Sequence, residues 1–586
     1  MLDGVDVLEA WQWNTVERCW TISCRFTIPT EGHGVPRRSD WVVLVEATYP
    51  WGYIHLQPAM RNSVEATFPH QLLNRPANVG RPWRTGRICV DTGVRALGRQ
   101  GVDREPFSVA GRLRWRLERT RRWLEVAACG GLVRPGDPFE LPDFGSLPKP
   151  LVAFGENVDS LETWDGEKAR YGVVRLVRLR QRPPVLVAKS FHDPGGREVY
   201  APRWGTYIND PERPSEDGLW LRFNGTPHIE PWKAPMTWGE LRRAAAEQDI
   251  NLDEALQRLL ERTRFGGASR LLVGFPIPAV VDGAARNMFW QALQLPEIPI
   301  ETGMSSPGFR PGRARPTDVT RLAAFRDECS LTWLHSENWH ADTVAARGQL
   351  PEVLTDAEVV LIGAGALGSA IGEMLVRGGL RRLTVYDHDL VMAGNLVRHT
   401  LTLADVGSFK AAALADRLNA MSARTEVRAI TQAFPPDDEV SHALLRTTDI
   451  IIDATGENAV AHALSTYRWN SPKIFVSISL GLFAWAGFSF FSIGESFLME
   501  DMLTALRPWL DRQAERFRDA EWPREGVGCW HPVFPARGDE VWMLASSALQ
   551  HLVELVQSES DASELVVFER VEENGLFLGL RRVLSV

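Results

Sequence analysis

The chain has 586 residues, a length that predicts about three domains. Apolar residues make up 44% of it and charged residues 24%, which is typical of a globular protein and excludes a disordered one. The net charge of -9 argues against nucleic acid as the main partner, because proteins that bind the phosphate backbone usually carry a surplus of basic residues.

The first residues and the cysteines indicate a cellular compartment. The N-terminus, MLDGVDVLEAWQW, has no basic segment followed by an apolar run, so we expect a cytoplasmic protein and no secretion. The six cysteines form no Cys-x-x-Cys pair, so neither a zinc ribbon nor a redox-active dithiol is predicted. In a reducing cytoplasm the thiols are expected to be free.

Residues 1–148 are predicted to form a first domain. It begins with a predicted helix and continues with β-rich segments such as TISCRFTIP and WVVLVEATYP. A basic helix, VAGRLRWRLERTRRWLEVAACGG, is predicted to end at its Gly-Gly pair. Cys89 lies in the sequence GRICVD, which taken alone indicates only a cysteine at the edge of a strand.

Residues 149–304 are predicted to form a mixed α/β domain that connects the two ends of the chain. Short strands (VVRLVRL, PVLVAKSF, SRLLVGFPIPAVV) accompany one predicted helix, WGELRRAAAEQDINLDEALQRLLERT. We find no catalytic signature here, and we interpret His192 and Asp193, beside Pro-Gly-Gly, as a turn. Residues 305–317 are rich in Pro, Gly and Arg and predict a linker to the last domain, 318–586.

A glycine-rich loop in the last domain predicts a nucleotide site. The strand AEVVLI leads directly into GAGALGS, a helix and a second strand that ends in Asp387. Gly363 would permit a tight turn, Gly365 a close approach to phosphate, and Gly368 close packing of the helix, whose first N–H groups face the anion. Asp387 would accept hydrogen bonds from ribose. This pattern alone does not separate NAD from ATP.

The residues that follow favour ATP. Asn395 and Arg398 lie in NLVRH, Lys410 follows, and a third predicted strand ends at Asp453 in DATGEN. Arg398 and Lys410 can offset negative charge on phosphates, and Asp453 can hold Mg²⁺, whereas a dehydrogenase needs none of the three. Taken singly, each of them can be a solvated charge or a helix cap. Their order along the sheet makes a nucleoside triphosphate the better interpretation.

An uncharged segment of 21 residues, 474–494, is long enough to cross a bilayer. It is rich in Ser, Gly, Phe and Val and divides into two β-like pieces, 475–480 and 486–493. We therefore predict two buried strands of a covered sheet, and no contact with a membrane.

Cys529 lies in GVGCWHPVF, just before an amphipathic helix, EVWMLASSALQHLVELV. The glycines and the His-Pro pair predict an exposed loop, where a helix N-terminus or His531 would favour the thiolate. The local sequence is equally compatible with a buried apolar cysteine.

The motifs GAGALGS, YDHDLV, NLVRH and DATGEN together resemble the adenylation domain of ubiquitin-activating enzymes and their bacterial ThiF and MoeB relatives, from about residue 350 to the end. The resemblance implies a Rossmann-like domain that uses ATP and Mg²⁺ to adenylate the C-terminal glycine of a β-grasp protein. It also implies a thioester role for Cys529. The zinc-binding cysteine pairs of ThiF and MoeB are absent. The roles implied for the single residues are ribose binding by Asp387, phosphate binding by Asn395, Arg398 and Lys410, and metal binding and catalysis by Asp453.

The sequence around Cys89 resembles that of ubiquitin-conjugating enzymes, in which GRIC(L)D carries the active cysteine. The resemblance implies an α+β conjugating-enzyme fold for residues 1–148 and an acyl-accepting Cys89. The His-Pro-Asn tripeptide of that family, whose Asn is thought to stabilise the oxyanion, is absent. His70 is the nearest histidine, and Asn74 is our candidate for the missing donor.

Both resemblances together indicate a bacterial fusion of conjugating and activating enzymes, most like the fusion of CBASS antiphage operons. The family implies a protein substrate that ends in glycine, either a CD-NTase or a ubiquitin-like protein, a target amine on another protein, and a homodimer. Three alternatives stay open: a sulfur-carrier adenylyltransferase in which Cys89 is inert, a Rossmann oxidoreductase, and a non-catalytic scaffold that has kept a nucleotide-binding fold.

Overall fold

The computed structural model describes residues 2–77, 80–90, 105–106, 108–262, 270–296, 325–525, 531–532, 535–558 and 563–585. The predicted linker 305–317 and Cys529 lie outside the described residues. The chain divides into two compact units. The first contains Met1–Pro202 and Arg213–His340, and the second contains Arg203–Glu212 and Ala341–Val586.

The first unit begins with an antiparallel sheet. Its first residues form two short strands that both pair with the third, with Trp13 opposite Trp20. The helix predicted at this end is therefore wrong, because cross-strand pairs of bulky side chains stabilise the extended chain. The strands are β1 Val5–Val7, β2 Gln12–Asn14, β3 Cys19–Thr27, β4 Arg38–Glu46 and β5 Ile54–Pro58.

The predicted basic helix is confirmed as α1, Val109–Ala128. Ser108 caps its start by accepting a hydrogen bond from the N–H of Gly111, and Gly130, with φ +66°, follows its end. Trp123 is fully buried and meets Trp41 of β4 edge to face at 6.3 Å. The apolar face of α1 therefore closes one side of the sheet.

A second sheet of eight strands forms the middle of the chain, in the order β6-β13-β12-β11-β10-β7-β8-β9. The three strands predicted here are confirmed as β7, β8 and β11. The strand β13 belongs to this sheet, pairing with β6 and β12, although it lies after residue 318. The strands are β6 Leu147–Phe154, β7 Tyr171–Gln181, β8 Pro184–His192, β9 Glu198–Tyr200, β10 Ser215–Arg222, β11 Arg270–Pro278, β12 Ala285–Gln294 and β13 Thr332–Asn338.

The single long helix predicted in the middle region is two helices. The chain breaks at Asp249, whose φ is +58°, a value that no α-helix accommodates. The turn predicted at His192 and Asp193 is confirmed, since the carboxylate of Asp193 accepts hydrogen bonds from the N–H groups of Gly195 and Arg197. The helices of this stretch are α2 Val158–Gly166, α3 Thr206–Asn209 (in the second unit), α4 Trp238–Ala246 and α5 Leu252–Arg262.

The second unit is built on an eight-stranded sheet in the order β16-β15-β14-β17-β18-β19-β22-β23. The first five of these strands are parallel, as in a Rossmann-like domain, and the last three antiparallel. The predicted α/β class is confirmed. The strands are β14 Glu358–Ile362, β15 Arg382–Tyr386, β16 Glu426–Ile430, β17 Ile450–Asp453, β18 Lys473–Leu480, β19 Ala486–Gly494, the hairpin β20 Arg524–Glu525 and β21 His531–Pro532, β22 Glu564–Glu573 and β23 Leu576–Ser585.

Helices cover both faces of this sheet, and the long C-terminal helix packs in the core beside the glycine-loop helix. They are α6 Ala341–Val344, α7 Glu352–Thr355, α8 Ala366–Arg377, α9 Lys410–Asn419, α10 Glu439–Thr447, α11 Asn458–Thr466, α12 Met499–Arg516 and α13 Gly538–Ser558.

The uncharged segment 474–494 forms the neighbouring antiparallel strands β18 and β19, as predicted. Most of their side chains, including Phe475, Phe490 and Phe491, are buried within the unit. Among the described residues no helix is both long and apolar enough to cross a membrane.

Candidate functional site

The glycine loop joins β14 to α8, and each of its three predicted glycines is explained by a different feature of the structure. Gly363 adopts φ +92°, which favours glycine. A Cβ on Gly368 would lie 1.9 Å from the carbonyl oxygen of Gly363, so no side chain fits there. A Cβ on Gly365 would meet nothing within 4 Å, which leaves the first turn of α8 open on this side. The loop therefore presents N–H groups to an open surface, the arrangement that binds phosphate.

The loop lies where the order of strands reverses. The chain proceeds from β14 outward to β15 and β16, then returns to the other side of β14 for β17 and β18. In open α/β sheets the ligand site lies at the carboxyl ends of the strands at such a reversal. Asp387 follows β15 and Asp453 ends β17, directly beside Ile362 of β14. The fold therefore brings the loop and both aspartates to one edge.

Asp387 is tied to the glycine loop. One carboxylate oxygen accepts a hydrogen bond from the N–H of Ala364 at 2.7 Å, and the other accepts from the N–H of Asp389 at 2.8 Å. A carboxylate oxygen accepts two hydrogen bonds, so both retain a lone pair for a ribose hydroxyl. The predicted ribose-binding role is compatible with this geometry.

Asn395 and Arg398 lie in the turn between β15 and α9. Asn395 belongs to a short 3₁₀ helix, Ala393–Val397, and its side-chain oxygen accepts a hydrogen bond from the N–H of Met392 at 2.9 Å. Arg398 ends this turn and is half-buried, and its burial lowers the pKa of the guanidinium. A partly desolvated cation interacts with phosphate more strongly than one in water.

Lys410 begins α9 and is paired within the protein. Its ammonium donates to a carboxylate oxygen of Asp389 at 2.7 Å, and its backbone N–H donates to the carbonyl of Asp389 at 2.8 Å. The hydrogen bond from Lys410 lowers the pKa of Asp389. Lys410 would therefore bind a phosphate while its ammonium group is held by Asp389. The contact between Lys410 and Asp389 was not predicted from the sequence.

Asp453 is almost fully buried, with 2% of its surface exposed. One carboxylate oxygen accepts from the N–H and the hydroxyl of Thr455, and the other accepts from the hydroxyl of Ser477 at 3.0 Å. Burial raises the pKa of this carboxyl group. A carboxylate held this way is costly to keep charged without a cation, which is typical of a functional site.

Asp453 fits the role in Mg²⁺ binding that the resemblance implies. Magnesium in nucleotide sites is held by one or two carboxylates together with phosphate oxygens. Within the described part of the chain no three His, Cys, Asp or Glu side chains cluster into a metal site. Asp453 would therefore share the cation with the phosphates of the nucleotide.

His399 is a site residue that the sequence did not single out. Its Nδ1 accepts a hydrogen bond from the N–H of Leu401 at 3.1 Å, so the proton of the neutral ring lies on Nε2. Nε2 donates to the carbonyl of Ala364 at 2.6 Å. Burial lowers the pKa of His399, which favours this neutral form. His399 thus joins the glycine loop to the turn that carries Arg398.

We expect replacement of His399 by phenylalanine to raise the Kd for ATP by up to about thirtyfold, because two hydrogen bonds of about 1 kcal/mol each are lost. Burial lowers the pKa of His399, so wild-type affinity should fall only as the pH drops from neutral into the acidic range, where the ring gains a proton and Nδ1 ceases to accept. Titration calorimetry over this pH range measures both effects. His399→Gln, which keeps a donor and an acceptor, should bind like wild type without the acid-dependent loss.

Cys529 lies outside the described residues, and its predicted exposure is not addressed by the structure. Two neighbouring features are described. The predicted amphipathic helix is confirmed as α13. A Cβ on Gly538, the first residue of α13, would lie 3.3 Å from the carbonyl oxygen of Val397. The first residue of α13 therefore lies beside the turn that carries Arg398.

Cys89 is exposed in the first unit. Its backbone N–H donates to the carbonyl of His70 at 2.8 Å, and the preceding Ile88 is buried in the core of the first sheet. The His70 side chain is buried, and its Nδ1 lies 2.5 Å from a carboxylate oxygen of Glu140. The structure thus places the predicted thiol at the surface, in a different unit from the nucleotide site.

The proposal that Asn74 replaces the missing oxyanion donor is wrong. Asn74 is buried, and its amide group donates both hydrogens to carbonyl oxygens, those of Val64 and Ala66, each at 2.9 Å. Its oxygen accepts from Arg84 at 2.8 Å. Every polar atom of this side chain is therefore used to hold the local backbone.

Two family profiles match the chain: the Cap2 central linker domain over residues 130–339, and the ThiF family over residues 337–491. The ATP-dependent ubiquitin transferase-like protein Cap2 of Enterobacter hormaechei subsp. hoffmannii is 31% identical over 562 residues, covering 94% of this chain and 91% of the relative. The molybdopterin-synthase adenylyltransferase of Escherichia coli is 36% identical over 118 residues, 20% of this chain and 45% of that protein. Among solved structures, E. coli MccB with ATP is similar at 12% identity and a TM-score of 0.28, covering 40% of this chain and 64% of that one.

Proposed function

The chain belongs to the Cap2 family of ATP-dependent ubiquitin transferase-like proteins, and we propose that it activates a protein carboxylate with ATP and passes it through two cysteines to a target amine. The observation that carries this proposal is the convergence of the glycine loop, Asp387 and the buried Asp453 at one edge of the second sheet. Membership of this family of ATP-dependent transferases argues against the alternative of an oxidoreductase.

The first step is adenylation. The C-terminal carboxylate of the substrate protein attacks the α-phosphorus of ATP, a new C–O–P linkage forms, and pyrophosphate leaves. The loop amides, Arg398 and Lys410 would hold the phosphates and offset the charge that develops on them. Mg²⁺, when bound, would neutralise part of the same charge, and Asp453 would hold it.

The next steps move the acyl group. The thiolate of Cys529 attacks the acyl adenylate, forming a thioester and releasing AMP. The thiolate of Cys89 then displaces Cys529, and an amine of the target displaces Cys89 to give an amide. Overall the amine loses one proton and the Cys89 thiol regains one. The exposure of Cys89 supports its part in this relay.

The substrate and setting follow from the family resemblance. We propose that the substrate is a CD-NTase or a ubiquitin-like protein with a C-terminal glycine, that the protein works as a homodimer in the cytoplasm, and that it serves antiphage defence. One observation supports a second candidate function: the 36% identity to a molybdopterin-synthase adenylyltransferase. In an adenylyltransferase of that type, without conjugation, Cys89 would be inert.

Exchange of pyrophosphate into ATP tests activation. We expect full-length protein to catalyse exchange only with a CD-NTase or ubiquitin-like protein that ends in glycine, and not with the same protein lacking its last glycine. Cys529→Ala should retain exchange. Loss of dependence on the partner would contradict the proposal.

A reducible adduct on non-reducing gels tests the relay. We expect wild type to form an adduct on Cys89 that disappears in Cys89→Ala and in Cys529→Ala. Cys129→Ser is the matched control, because Cys129 is also exposed and has no proposed role. Exchange without an adduct on either cysteine would favour the sulfur-carrier alternative.

A further inference from the structure

The segment that carries Cys89 runs antiparallel to β5. The N–H of Arg84 donates to the carbonyl of Pro58 at 2.8 Å, and the N–H of Ile88 donates to the carbonyl of Leu56 at 3.3 Å. Side chains of an extended segment alternate between its two sides. Ile88 and Val90 enter the core that contains Trp123, so Arg87 and Cys89 share the opposite, exposed side.

Arg87 is fixed on this side by His55. A guanidinium nitrogen of Arg87 lies 2.9 Å from Nε2 of His55. Because arginine only donates, Nε2 of His55 accepts this hydrogen bond. The His55 ring stacks on Tyr53 with centroids 4.3 Å apart and planes at 16°, so the acceptor is itself held in place. The guanidinium is thus held in a fixed position on the side of the segment that Cys89 shares.

Arg87 is within reach of a group bound to Cys89. Residues two apart in an extended segment are about 7 Å apart, a distance that an arginine side chain spans. The guanidinium is a charged donor with several N–H groups beyond the one that His55 receives. Asn74 is fully used elsewhere, so it cannot supply this donor.

We propose that Arg87 stabilises the oxyanion that forms when an amine attacks an acyl group on Cys89, and that His55 positions it. This inference rests on the proposed acyl transfer through Cys89. The amine nitrogen bonds to the thioester carbon, and the carbonyl electrons move to oxygen, which accepts a hydrogen bond from Arg87. The tetrahedral species then collapses, the C–S bond breaks, and the amine proton passes through solvent to the Cys89 thiolate.

The test uses the full-length chain and needs neither ATP nor the natural substrate. Cys89 is loaded by exchange with a small thioester, acetylglycyl-mercaptoethanesulfonate, and excess reagent is removed. Free lysine is added, and loss of the acyl group from the Cys89 peptide is followed by mass spectrometry. The same thioester on a free peptide, GRICVD, gives the uncatalysed rate.

We expect wild type to react faster than the free peptide, and Arg87→Ala to lose this acceleration by on the order of tenfold to a hundredfold. Arg87→Lys should recover part of it. His55→Gln, which can still accept from Arg87, should stay near wild type, whereas His55→Ala should be slower. Arg75→Ala is the matched control, because Arg75 is exposed in the same region and is not on the Cys89 segment.

The outcomes separate this proposal from the one it rests on. Acceleration in wild type that persists in Arg87→Ala overturns the role of Arg87 and leaves Cys89 as an acyl carrier. A wild-type rate no faster than the free peptide overturns catalysis at Cys89 and Arg87 together. Thermal unfolding of each variant shows whether a slow rate reflects a damaged fold, and Arg87→Lys keeps the test valid if Arg87→Ala is unstable.

Discussion

Replacement of Asp453 by asparagine is expected to lower pyrophosphate exchange by at least about a hundredfold while the protein stays folded. The charge of Asp453 is the only feature that this change removes. The asparagine oxygen can accept both hydrogen bonds from Thr455, and its NH₂ group can donate to the hydroxyl of Ser477. A neutral side chain cannot share Mg²⁺ with the phosphates, so the developing charge is left uncompensated.

The same strand offers a matched control. Asp449 lies just before β17, at the opposite end from Asp453, where its carboxylate accepts a hydrogen bond from the N–H of Glu358 at 2.8 Å. Asp449→Asn should exchange pyrophosphate at the wild-type rate. Ser477→Ala removes one hydrogen bond to Asp453 and should cause a smaller loss, about fivefold. Normal exchange in Asp453→Asn would contradict the assignment of the catalytic aspartate.

The nucleotide site could be predicted because the residues that form it occur in short local sequence motifs. The loop between β14 and α8 needs glycine for steric reasons that involve only neighbours in the chain, above all Gly368 against Gly363. Asp387 and Asp453 each follow a buried strand, and parallel strands end at the same edge. The spacing of these residues in the sequence therefore predicts that they lie together at one edge of the sheet.

Other parts depend on contacts between residues distant in the chain, which spacing does not reveal. The first strands form because Trp13 pairs with Trp20 across β2 and β3. This cross-strand contact outweighs the local sequence pattern that predicts a helix. Asn74 is unsuitable as an oxyanion donor because its amide group is bonded to Val64, Ala66 and Arg84, which lie up to ten positions away. His399 donates a hydrogen bond to the carbonyl of Ala364, 35 positions earlier in the chain. A single histidine in the sequence does not indicate such a contact.

A further buried carboxyl group, that of Glu156, lies just after β6 of the middle sheet, where no sequence motif indicates it. One carboxyl oxygen accepts from the indole N–H of Trp290 at 2.7 Å and of Trp164 at 3.1 Å. The other lies 2.5 Å from the hydroxyl of Ser160, which donates to the carbonyl of Asn157 at 2.9 Å. Burial among aromatic rings raises the pKa of Glu156 to about 8. At neutral pH the group is therefore mostly protonated, and its O–H donates to Ser160.

This pKa predicts how stability varies with pH. The folded protein holds a proton on Glu156 that the unfolded chain, with an ordinary value of 4.5, has lost. The unfolded state therefore binds fewer protons, and the free energy of unfolding falls as the pH rises, by about 1.4 kcal/mol per pH unit. The free energy of unfolding falls in this way between about pH 4.5 and about pH 8, and above that range Glu156 causes no further decrease.

Glu156→Gln should remove this dependence and stabilise the protein. The glutamine oxygen can accept both indole N–H groups, and its NH₂ can donate to Ser160, which reproduces the protonated carboxyl. We expect the melting temperature of the variant to exceed that of wild type by more at about pH 8 than at about pH 5. Tryptophan fluorescence on heating reports the transition. Glu156→Leu should instead lose about 2–5 kcal/mol, since two buried indole N–H groups lose their acceptor.

The control is the exposed Glu162 of α2, the helix that begins just after Glu156, and Glu162→Gln should leave the melting temperature unchanged at both pH values. A stabilisation by Glu156→Gln that is equal at both pH values would mean that Glu156 is not protonated in the folded state. If Glu156→Gln destabilises the protein instead, the two indole groups require a charged acceptor. The middle sheet would then hold a buried anion, and the pH dependence would reverse, with stability falling as the carboxylate gains a proton in acid.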